Sequence, residues 1–84
     1  MNTVENYLEF NMSDDSVLIC ENGITYVIAL NYRLGSWQSH TPTISKVVEC
    51  YDENENGLSL DLSAEKLQEL QVLINKNYSH ETAI

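Results

Sequence analysis

The stretch SVLICENGITYVIAL, residues 16–30, decides the fold. Two runs rich in β-branched and aromatic residues flank Asn22-Gly23, and that dipeptide favours the left-handed backbone of a two-residue hairpin turn. A two-residue turn fixes the register. Glu21 then faces Ile24, Cys20 faces Thr25, Ile19 faces Tyr26 and Leu18 faces Val27. Side chains alternate between faces along a strand. One face therefore carries Val17, Ile19, Ile24, Tyr26, Ile28 and Leu30, and the other Leu18, Cys20, Thr25, Val27 and Ala29. Both faces are mostly apolar, which predicts central strands covered at least in part on both sides.

Working outward, residues 4–12 (VENYLEFNM) alternate as a strand, with Val4, Leu8, Phe10 and Met12 on one side and Asn6 interrupting that face. Ser13, Asp14 and Asp15 form a turn, and the hairpin spans residues 16–31. Residues 32–42 have no sustained period and read as a loop carrying Tyr32, Arg33, Trp37 and His40. TISKVVECY, residues 43–51, is a further strand by its β-branched content. Residues 52–57 form a turn, and LSLDL, residues 58–62, reads as a short strand with Leu58, Leu60 and Leu62 on one face. Ser63 is a good helix N-cap, and residues 63–78 contain strong helix formers. Leu67, Leu70, Ile74 and Tyr78 make the apolar stripe, with Val72 and Leu73 broadening it. Residues 79–84 read as a frayed tail. The expected architecture is a single α+β domain: an antiparallel sheet of four to five strands with one C-terminal helix packed on one face.

The segment YDENENGLSL, residues 51–60, raises a metal question. Asp52, Asn54, Asn56 and Gly57 occupy the first, third, fifth and sixth positions of a calcium loop. The closing twelfth position is Ser63, which cannot give the bidentate carboxylate that completes the shell. The segment before it reads as a strand, where an EF-hand needs a helix. Asp and Asn favour turns by bonding nearby backbone, and Asn56-Gly57 would supply positive φ angles. The turn reading accounts for every residue, and no metal or other cofactor is expected.

The chain has 84 residues, 43% of them hydrophobic, enough for one small core. No apolar run reaches the ~18–20 residues of a membrane span. The start, MNTVENYLEF, lacks the basic and apolar regions of a signal peptide, so the expected location is the cytoplasm. Cys20 and Cys50 sit in apolar strand runs, and in that compartment they are expected as buried thiols. Two Cys and two His spread over sixty residues make no zinc set or nucleophile motif. An enzyme is not expected.

Thirteen acidic residues against four basic ones give a formal net charge of −9. Nucleic acid and anionic membrane both need neutralising Lys and Arg, which sets them aside as direct partners. A basic protein surface fits. Nine charges over a compact span of roughly 30 Å is a density close to the ~3.4 Å per charge of one DNA strand. Carboxylates two apart on a strand sit about 6.6 Å from each other, a phosphate-like spacing. Asp14, Asp15, Glu49, Asp52, Glu53, Glu55 and Asp61 are the candidate partner-binding carboxylates, and Trp37 is the candidate aromatic contact.

The acidic segments SDDS, ECYDENENG and LDLSAEKLQEL, with the small size and the sheet-plus-helix layout, make the chain similar to the small phage-encoded inhibitors of bacterial defence, including anti-CRISPR proteins. The resemblance implies a class of partner: a nucleic-acid-handling complex whose basic surface is occupied, in the host cytoplasm if the protein is phage-encoded. The alternative expectation is a regulatory module binding an ordinary protein partner through residues 32–40. The oligomeric state stays open.

Overall fold

The computed structural model describes residues 6–11, 13–31 and 42–82. Its elements are β1 (Tyr7–Asn11), β2 (Ser16–Glu21), β3 (Ile24–Leu30), β4 (Ile44–Tyr51) and α1 (Ala64–Thr82). The strands form one antiparallel sheet in the order β1-β2-β3-β4, followed by the helix, an α+β fold. Asn22 and Gly23 take φ angles of 53° and 81°, the paired positive values of a type I′ turn. The register follows: Glu21 lies opposite Ile24, Cys20 opposite Thr25, Ile19 opposite Tyr26 and Leu18 opposite Val27.

β1 extends one face with Leu8 beside Ile19 and Phe10 beside Val17, and β4 adds Cys50 beside Tyr26. Leu70, Ile74 and Tyr78 of α1 are buried in one cluster with Val17, Ile19, Tyr26, Ile28, Leu30 and Cys50. The Phe10 and Tyr78 rings meet edge to face, with centroids 5.4 Å apart, an arrangement favoured by the ring quadrupoles. The opposite sheet face has Leu18, Thr25, Val27 and Ala29 half-buried. Cys20 on the same face is buried, so this side is partly covered as well.

Two side chains fasten the helix to the rim of the sheet. Gln71 accepts the Ile44 N–H through Oε1 at 3.0 Å and donates through Nε2 to the Pro42 carbonyl at 2.9 Å. Its amide thus satisfies main-chain groups where β4 begins. Lys66 Nζ donates to Glu21 Oε1 at 2.6 Å and stands 5.5 Å from the Tyr26 ring centre. Asn6, which interrupts the apolar pattern of β1, accepts the Asn22 N–H at 2.9 Å and braces the hairpin turn.

Several expectations are corrected. Residues 58–62 are not a strand, so the sheet has four strands. The returning chain meets β4 through one bridge just before them, Tyr51 to Gly57, and through the Leu58 N–H to the Cys50 carbonyl at 2.7 Å. Beyond that, Ser59 Oγ accepts the Asp61 N–H, and the Leu62 N–H bonds the Leu60 carbonyl. These local bonds compete with a ladder and turn the chain away. The left-handed residue in the 52–57 turn is Glu55, at φ 64°, and Gly57 has no positive φ. The helix runs on to Thr82, past the expected end at residue 78. Val72 is exposed, because two residues along a helix turn about 200° away from Leu70. Val4 and Met12 lie outside the described residues.

Gly23 provides the first test. A Cβ there would sit 3.3 Å from Glu53 Oε2, the movable end of a flexible side chain, so backbone strain dominates. Gly23→Ala is expected to lower stability by about 1 kcal/mol in urea unfolding, and an unchanged midpoint contradicts the positive-φ requirement. At the helix start, Ser63 Oγ accepts the Lys66 N–H at 3.1 Å. Ser63→Ala is expected to cost about 1 kcal/mol in the same measurement, and Ser63→Asp to retain most of the stability.

Candidate functional site

The turn after β4 is built around one carboxylate. Asp52 Oδ1 accepts the N–H groups of Asn54 and Asn56 at 2.9 and 3.0 Å, and Oδ2 accepts Asn56 Nδ2 at 3.2 Å. These hydrogen bonds, those from Asn56 foremost, hold the Asp52 carboxyl below its ordinary range. Both oxygens are engaged in closing the turn, so Asp52 has a structural role of its own there. Its neighbours remain exposed. Glu53 reaches over the Asn22-Gly23 turn.

Glu49 and Glu55 line an open groove of about 780 Å³ between β4 and the returning chain, together with Val48, Leu58 and Leu60. Asp61 lines a second depression of about 700 Å³ that shares Leu60 with the first and also contains Lys46. Four candidate carboxylates, Glu49, Glu53, Glu55 and Asp61, thus lie along the β4 flank or at its end. Asp14 and Asp15 do not join them. They lie in the β1–β2 turn, at the end of β2 away from Asn22-Gly23 and roughly 17 Å along the strand. There Asp14 Oδ1 accepts the Ser16 hydroxyl at 2.6 Å, and the Asp15 carbonyl accepts the Leu30 N–H at 2.9 Å. Trp37 and the other expected aromatic contacts fall in residues 32–41, outside the described residues.

Lys66 is matched to different carboxylates, Glu21 at 2.6 Å and Glu69 at 3.6 Å. The hydrogen bond to Glu21 raises its pKa, against a smaller opposing effect of desolvation. Cys20 and Cys50 are free and buried. They lie on opposite sheet faces, since Cys20 pairs with Tyr7 and Thr25 while Cys50 pairs with Tyr26. Burial pushes the Cys50 thiol up, and the Lys66 charge pulls it back in part. A raised thiol is a poor nucleophile.

The apolar members of the groove were hidden from sequence reasoning. An alternating Leu58, Leu60, Leu62 pattern reads as the buried side of a strand. In the fold Leu58 and Leu60 are 39% and 49% exposed, and only Leu62 packs against the core. The one available signal was Ser59 followed by Asp61, a pairing suited to a local turn.

No family model matches this chain, and no curated protein or solved structure is significantly similar to it. Among the described residues, no helix is long and apolar enough to cross a membrane.

The Asp52 turn gives a signed pH prediction. A carboxyl whose folded pKa is depressed adds stability above its unfolded value, near 3.8, and that contribution is lost as pH falls through the folded value. Asp52→Ala is therefore expected to lower Tm at pH 7, and its deficit against the native chain to shrink below about pH 4. Melting curves from pH 7 to about pH 2.5 check this. A constant deficit throughout contradicts a role for the charged form.

Proposed function

We propose that this protein is a non-catalytic binding protein, an inhibitor in type, that lays the acidic flank of β4 against the basic, nucleic-acid-binding surface of a partner complex. The observation that carries the reading is the gathering of Glu49 and Glu55 on one groove, with Asp61 on its continuation and Glu53 at its end. A local group of like charges is what a basic surface recognises, because complementary potentials steer encounter and fix orientation. The net charge of −9 acts in the same sense over longer range. Likeness to the small phage-encoded inhibitors of bacterial defence, anti-CRISPR proteins among them, points to the same class of partner.

Two matched charge reversals test it. Glu49→Lys with Glu55→Lys alters the flank but leaves Asp52 to hold the turn. Glu9→Lys with Asp14→Lys makes the same charge change on the opposite edge strand and its turn. The native chain, immobilised, is expected to retain a nucleic-acid-binding partner from host lysate, and duplex DNA or RNA to compete it off. The β4-flank pair should weaken retention at least about tenfold, at about 1 kcal/mol or more per reversed contact, and the opposite-edge pair should have little effect. Retention should also fall steeply with salt. Retention that ignores the β4-flank reversal, and that nucleic acid does not compete, rejects the proposal.

A further inference from the structure

The described residues leave five large apolar side chains exposed, and three of them stand together: Val48 at 42%, Leu58 at 39% and Leu60 at 49%. All three line the groove that carries Glu49 and Glu55. Exposed apolar side chains scattered singly need no explanation, whereas a contiguous set rimmed by polar groups marks an interaction site. The fold keeps this set uncovered. β4 is an edge strand, and the returning chain meets it at the Leu58 N–H to Cys50 carbonyl bond before local turns lead it off. The register passes from Val27–Glu49 to Ile28–Val47, so Val48 is the extra residue of a bulge. A bulged edge is a poor template for another strand, which leaves side chains, rather than a main-chain ladder, to carry recognition here.

We infer that this groove seats an apolar side chain from a basic segment of the partner, a short stretch in which Leu, Ile or Val is flanked by Lys or Arg. Charge complementarity selects that occupant. Glu49 and Glu55 sit beside the apolar trio, where they attract cationic neighbours of the anchor and repel anionic ones. A second copy of the chain is the wrong occupant, because it brings its own Glu49 and Glu55 and another net charge of −9. The inference rests on the acidic-flank reading and adds a contact that salt does not screen. Burial of an apolar anchor persists at ionic strengths where exposed charge pairs fade.

The test uses three labelled synthetic peptides and fluorescence anisotropy. One alternates Lys and Leu, one has the same charge and alternates Lys and Ser, and one alternates Glu and Leu. The Lys-Leu peptide is expected to bind about tenfold or more tighter than Lys-Ser, the scale of burying one aliphatic side chain. Leu58→Ser with Leu60→Ser should remove that advantage and leave Lys-Ser binding unchanged. These side chains are exposed, so the core is untouched, and unchanged melting confirms it. Glu49→Lys with Glu55→Lys should weaken both cationic peptides. Equal binding of Lys-Leu and Lys-Ser overturns the anchor; if the charge reversal still weakens both, the acidic-flank reading survives alone. Lys-Leu binding that ignores the charge reversal rejects both. Preference for Glu-Leu, no Lys-Leu binding up to about 1 mM, or a dimer in sedimentation that Leu58→Ser with Leu60→Ser dissolves, each overturns the inference.

Discussion

Positive φ at both Asn22 and Gly23 sets which residues of β2 oppose which residues of β3, and the rest of the architecture depends on that register. Because side chains alternate, a slip of one residue would move a strand's whole inner set to the other face. In the observed register Val17, Ile19, Tyr26 and Ile28 form a continuous patch. β1 and β4 widen it from either side, and α1 closes over it. Asn6 and Glu53 converge on the same turn from β1 and from the far side of β4, so the hairpin tip also gathers one end of the sheet.

A core this small depends on how its perimeter is sealed. Gln71 ties the start of β4 to the helix by offering an amide where the sheet has no further strand. Glu21 and Lys66 do the same at the opposite end. They are 45 residues apart in sequence, and their side chains are only 19% and 26% exposed. Partial burial strengthens the attraction and raises the desolvation cost together. The added contact with Tyr26 and the short hydrogen bond favour the paired state. Both contacts join α1 to the sheet, and neither is visible from either partner alone.

Thirteen carboxylates in 84 residues are not equivalent once folded. Asp52 closes a turn, Asp14 bonds Ser16, and Glu21 neutralises Lys66. The structure thereby separates carboxylates that organise the chain from those that face solvent along β4. The second group shares its surface with Val48, Leu58 and Leu60. At the edge formed by β1, Glu9 and Asp14 are exposed beside a smaller hollow of about 380 Å³ lined also by Phe10, Leu18 and Val27.

Sequence alone determined the hairpin, its register, the division of its residues between two faces, the N-cap at Ser63 and the stripe of Leu70, Ile74 and Tyr78. Each of these follows from local backbone preference or from a period of 2 or 3.6 residues, both readable along the chain. It also identified the Asp52 turn, whose bonds span at most four residues. Tertiary structure alone decided which face became the core, that residues 58–62 leave the sheet, that Val72 faces outward while Leu58 and Leu60 line a groove, and that Asp14 and Asp15 lie in the β1–β2 turn apart from the groove that holds Glu49 and Glu55. An alternating Leu pattern has the same period whether or not a neighbouring strand accepts it. Whether a ladder forms there depends on β4 and on turn bonds at Ser59 and Leu60, and the pairing of Glu21 with Lys66 depends on where α1 crosses the sheet. Those are contacts between distant segments, and no local period encodes them.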